Sequence, residues 1–107
     1  MRLAPRWVLL LVALASLTAS PSWAHKVNIF AYFEGGIVYT ESYFPDGKKV
    51  EGGMVEVLDA SGRKLLEGKT DNQGLFSFPL QKKEDLTIVL DATMGHKNSF
   101  VLKKSEM

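Results

Sequence analysis

The sequence contains no cysteine. For a chain that carries an export signal, argued below, this excludes disulfides, cysteine-ligated zinc and thiol nucleophiles together. No block of like charge is longer than two residues, so the clustered basic stripe that nucleic-acid binding requires is missing. No apolar stretch of spanning length follows the first seventeen residues. Also missing are a G-x-S-x-G nucleophile elbow, a phosphate-binding glycine loop and an H-E-x-x-H pair. Carboxylates paired for acid–base work are not evident. The chain is therefore not expected to be an enzyme.

The first 24 residues have the layout of a cleavable secretory signal. Arg2 and Arg6 form a positive n-region, and residues 7–17 an apolar h-region too short for a confident membrane span. Ser22-Trp23-Ala24 places small residues at the −3 and −1 positions, which predicts cleavage after Ala24 and export to the periplasm. Of the 107 residues, 83 then remain, from His25 to Met107. This is enough for one domain with one modest core. The full chain has 13 Lys+Arg against 12 Asp+Glu; loss of Arg2 and Arg6 leaves 11 against 12, so the mature domain is nearly neutral.

What is present is two-residue periodicity broken by turn chemistry. From 25 to 34, Val27, Ile29, Ala31 and Phe33 point one way and Asn28, Phe30, Tyr32 and Glu34 the other. That is a strand with one buried face and one aromatic, partly exposed face. Gly35-Gly36 predicts a tight turn. Further strands are expected at 37–44, 54–58, 64–70, 75–78, 86–90 and 96–103, separated by turn signals at 45–47, 59–62 and 71–74. Pro79 suits an edge or a strand end. Tyr32, Tyr39 and Tyr43 are expected to serve packing first and recognition second. Seven short strands at this spacing predict an all-β, seven-stranded Ig-like or transthyretin-like β-sandwich over residues 25–107.

Only two histidines exist, His25 and His96. After cleavage His25 would be N-terminal, and its free amine and ring Nδ1 could close one chelate ring on a metal. Such nitrogens suit Ni(II), Cu(II), Co(II) and Zn(II). In small peptides the amine titrates near about 7.7–8.0 and imidazole near about 6.5, so metal would compete with protons close to neutral pH. The plainer alternatives are a terminal histidine left by chance and, at 96, an ordinary turn histidine. Glu34, Glu41 and Asp46 are further oxygen donors near turns, more simply read as solvated charges. Met94 is a soft donor that would more commonly fill a core edge.

Two resemblances follow. Gly53-Met-Val-Glu-Val-Leu-Asp-Ala-Ser-Gly62 and Leu66-Glu-Gly-Lys-Thr-Asp-Asn-Gln-Gly-Leu-Phe-Ser-Phe78 resemble the carboxypeptidase regulatory-like, transthyretin-like sandwich, which implies a fold and little about function. Residues 24–32, 39–44 and Met94-Gly95-His96 together resemble a small accessory component of bacterial nickel/cobalt uptake systems of the energy-coupling-factor type. This second resemblance implies nickel(II) or cobalt(II) as the metal, His25 and His96 as ligands, and membrane transporter subunits as partners. Members of such systems are often held by a C-terminal apolar helix. Residues 103–107 carry none, so either a free periplasmic protein or attachment through a separate permease subunit is expected.

The expectation is thus a periplasmic nickel/cobalt-binding or transport-accessory domain. Two rivals are kept: an interaction module of a membrane complex that binds no metal, and a copper-binding protein using the same terminal histidine.

Overall fold

The computed structural model describes residues 26–107; the expected signal peptide, 1–24, and His25 lie outside the described residues. Seven antiparallel strands form: β1 (Asn28–Glu34), β2 (Ile37–Tyr43), β3 (Met54–Leu58), β4 (Lys64–Lys69), β5 (Leu75–Pro79), β6 (Leu86–Asp91) and β7 (Lys97–Leu102). A single 3₁₀ turn, Lys104–Glu106, follows. The strands make two sheets, ordered β1-β2-β5 and β4-β3-β6-β7. Their inner faces share one core, so the architecture is the expected all-β sandwich.

The alternation of side chains dictates which face goes inward. β6 turns Leu86, Ile88 and Leu90 to the interior, and its neighbour β3 adds Val55 and Val57. The other sheet answers with Ile29 and Ala31 from β1, Val38 from β2 and Phe78 from β5. Val27, Val50 and Leu102 close the ends. Each of these valine, leucine, isoleucine and phenylalanine side chains contributes about 1.5–3 kcal/mol when fully buried. With no cysteine to cross-link the sheets, this interface holds them together.

Turn residues set the register. Gly35 and Gly36 both lie at positive φ, 58° and 84°, the pair a two-residue hairpin of matching twist demands. Their turn places Tyr32 opposite Tyr39 and Ala31 opposite Thr40. Aspartates nucleate the other turns. Asp59 Oδ1 accepts from the N–H groups of Ser61 and Arg63 at 2.9 and 2.8 Å, and from Ser61 Oγ. Those bonds, the Arg63 amide's foremost, hold the Asp59 carboxyl below the usual carboxylate range. Its contribution to the turn is complete above the pH at which an unfolded-chain aspartate titrates, and fades as pH falls through the lower folded value. Asp71 repeats the device for Gln73 and Leu75.

Several strand limits differ from the alternation pattern by a residue or more. Sheet pairing in β1 begins at Asn28, and β7 begins at Lys97, where His96 uses its backbone to close the loop before the strand. β5 runs on to Pro79, which ends an edge strand as proline should.

Among the described residues three polar side chains, Thr40, Ser42 and Thr70, are buried, and each is satisfied. Thr40 Oγ1 donates to the Phe76 carbonyl at 2.9 Å, and Ser42 Oγ to that of Gly74 at 2.9 Å. Gly74 sits at φ +74°, and a Cβ there would lie 2.3 Å from the Ser42 carbonyl oxygen, so only glycine lets this turn approach β2. Thr70 ties the crossover from β2 to β3 to the end of β4: its hydroxyl accepts from the Gly53 N–H at 2.8 Å and donates to the Val50 carbonyl.

Thr70→Val keeps the shape but strands both backbone groups. Urea unfolding is expected to show a loss of about 2 kcal/mol or more, while Thr70→Ser retains most of the stability. A valine variant as stable as the parent would contradict this role for the hydroxyl.

Candidate functional site

The β6–β7 connection carries the one described histidine. Asp91 Oδ1 accepts from the Thr93 N–H at 2.9 Å and starts the turn. Thr93 and Met94 then adopt positive φ, 70° and 52°, followed by Gly95 at 83°. For side chains other than glycine this is uncommon backbone. The loop closes on two bonds, His96 N–H to the Thr93 carbonyl at 2.9 Å and Ala92 N–H to the His96 carbonyl at 2.7 Å. His96 is half-buried, its ring edge-on to Phe44 with centroids 5.3 Å apart. Phe44 itself leans on the core. Met94 is 86% exposed and fills no core edge.

Two residues beyond His96, Asn98 Nδ2 donates to the Val27 carbonyl at 2.8 Å. That bond pins the start of the described chain, two residues after His25, against β7. It crosses between the two sheets, where the edge strands β1 and β7 run beside each other.

The expected oxygen donors are scattered. Glu34 ends β1, six strand steps or about 20 Å along from Asn28. Glu41 projects from the outer face of β2. Asp46 lies two residues after Phe44, and its Oδ1 accepts from the Lys48 N–H at 3.0 Å. Among the described residues, no three His, Cys, Asp or Glu side chains stand together in a way that could hold a metal.

The tyrosines require a correction. All three were expected to serve packing first; Tyr32 lies on the partly exposed face that the alternation gave it, and Tyr39 and Tyr43 project outward with it, because Ala31, Val38, Thr40 and Ser42 occupy the inward positions of β1 and β2. Tyr32 and Tyr39, paired across the hairpin, stack with centroids 5.3 Å apart and planes 20° from parallel. Phe30 continues the row 6.0 Å from Tyr32 and meets Phe100 of β7 edge-on at 5.4 Å. Phe30, Tyr32 and Tyr39 remain 47, 36 and 37% exposed. The signal for this was the aromatic set on one parity of the first strand.

No family model matches the chain, and no solved structure matches it. It is similar to an uncharacterized protein of Haemophilus influenzae (strain ATCC 51907 / DSM 11121 / KW20 / Rd), 29% identical over 83 residues that make up 75% of this chain. The chain spans about half, 52%, of that relative's length.

Asn98→Ala removes the bond that anchors Val27. Hydrogen exchange is expected to quicken at the amides of Asn28 and Ile29 while those of β3 and β6 hold, with about 1 kcal/mol of stability lost. Unchanged exchange at both positions would show that the bond does not pin this segment.

Proposed function

We propose that the protein is a periplasmic nickel(II)- or cobalt(II)-binding domain that serves as accessory to a membrane metal transporter of the energy-coupling-factor type. The metal is cargo in this reading. His25 would supply its amine and ring, and His96 a second imidazole.

The observation that carries the reading is the bond between Asn98 and Val27. Covalent geometry keeps the backbone of residue 25 within about 7 Å of residue 27, and that of residue 96 within the same reach of residue 98. The one bond therefore ties together the two short segments that bear the chain's only histidines. The donor set fits: imidazole and amine nitrogens suit nickel and cobalt. The dispersed carboxylates leave the terminal amine and the two rings as the donors on which the site depends. Copper(II) would bind the same nitrogens more tightly by the Irving–Williams order, so affinity for copper in isolation does not assign a copper role. The exposed aromatic face favours a second reading, an interaction module that binds no metal.

Calorimetric titration of the exported, processed chain with Ni(II) at neutral pH tests the proposal. One-to-one binding is expected, abolished in His25→Ala, weakened in His96→Ala, and strongly weakened when one residue is added before His25. A melting temperature that does not move with nickel, cobalt or copper would overturn it in favour of the interaction module, since a ligand of the folded state must raise that temperature.

A further inference from the structure

The outer face of the β1-β2-β5 sheet serves no purpose in the metal reading, and its chemistry is one-sided. By the register of the three strands it presents Asn28, Phe30, Tyr32 and Glu34 from β1, then Ile37, Tyr39, Glu41 and Tyr43 from β2. Leu75, Ser77 and Pro79 of β5 complete it. Residues 26–107 hold eleven lysines and arginines, and none of them stands on the three strands of this face; Lys49, bridged to Tyr43, lies at its rim. Both of its charged groups, Glu34 and Glu41, are carboxylates.

A hollow of about 330 Å³ opens in the middle of the face, with Tyr32, Tyr39, Glu41, Asp71 and Leu75 in its wall. Both Asp71 and Glu41 bring negative charge to it. Glu41 is exposed, and among the described residues its carboxylate has no hydrogen bond or ion pair. Two stacked phenol rings beside two carboxylates form a surface with a negative potential from the π faces and from the acids alike. A solvated charge alone would need no aromatic ring beside it, and an apolar contact alone would not be served by carboxylates.

We propose that this face docks an extended, arginine- or lysine-bearing segment of a protein partner. A cationic side chain would lie over Tyr32 and Tyr39 with Glu41 and Asp71 as counter-ions, and the apolar parts of the segment would cover Phe30 and Leu75. Arginine suits the hollow best, because its planar guanidinium stacks on a ring and bonds a carboxylate at the same time. Tyrosine and arginine are both enriched among the few residues that dominate the energy of an interface. The inference is independent of metal binding at His25 and His96.

The test uses the exported chain with ring-¹³C-labelled tyrosine. All three of its tyrosines, Tyr32, Tyr39 and Tyr43, lie on this face, so every labelled resonance reports on it. The probes are three capped nonapeptides of Gly and Ser with Arg, norleucine or Glu at alternate positions. Saturable shifts of Tyr32 and Tyr39 are expected with the arginine peptide alone, weaker at high salt. Glu41→Gln, which keeps the shape of the face, is expected to weaken binding about threefold. Tyr39→Ala is expected to weaken it about fivefold. Absence of saturable shifts with the arginine peptide at millimolar concentration would overturn the proposal. So would equal binding of the Glu or norleucine peptide. Tyrosine shifts that appear on concentrating the protein alone would overturn it too, by making a second copy of this chain the occupant.

Discussion

The packing of the Leu86, Ile88 and Leu90 face of β6 against the inner side of the β1-β2-β5 sheet is the contact on which this domain depends. The chain has no cysteine and, among the described residues, no helix long and apolar enough to cross a membrane. Two sheets with one apolar face each have a single stable arrangement, face to face, and every strand is bound to the parity that this imposes. A slip of one residue in β1 would turn Ile29 and Ala31 to water and bring Phe30 and Tyr32 into the interior. The aromatic row on the outside is the complement of the core on the inside.

That constraint also fixes where chemistry can lie. Interior positions are filled by aliphatic side chains and Phe78, and by Thr40, Ser42 and Thr70, whose hydroxyls are each engaged with backbone. Reactive or ligating groups are confined to the outer faces and to the loops at the ends. Among the described residues, the loop of Thr93, Met94 and Gly95 is the one place where consecutive non-glycine residues hold positive φ, and it delivers His96 onto Phe44 beside the entry of the chain into β1. Asn28 and Tyr43 mark the end of the outer face nearest that loop, and the hollow at Tyr32, Tyr39 and Glu41 lies further along the strands, so a metal function and a docking function need not compete.

Much of the fold was legible in the sequence because its signals are local. Alternation marks each strand, and Gly35-Gly36, Asp59 to Gly62 and Asp71 to Gly74 mark the turns between them. The division into sheets of three and four strands was not legible, since pairing β3 with β6 or β2 with β5 is a matter of long-range contact. Thr40 and Ser42 gave no hint of facing inward, because the partners that make this tolerable, the carbonyls of Phe76 and Gly74, lie more than thirty residues away. Tyr39 and Tyr43 misled for a related reason. Aromatic residues are strand formers on either face, and only the small inward residues opposite them decide the matter. His96 was visible as a residue; its contact with Phe44 and its nearness to the pin at Val27 were not.

The central claim is that the two histidine segments meet at one end of the sandwich and hold one metal ion between them. The most direct measurement is a Ni(II) titration followed through the backbone amide resonances of the processed chain. The account predicts that one equivalent shifts or broadens the amides of residues 26–28 and of residues 94–98 together, leaving those of Tyr32, Tyr39 and Ser77 unmoved. Perturbation confined to residues 26–28, with the loop at His96 untouched, would contradict it.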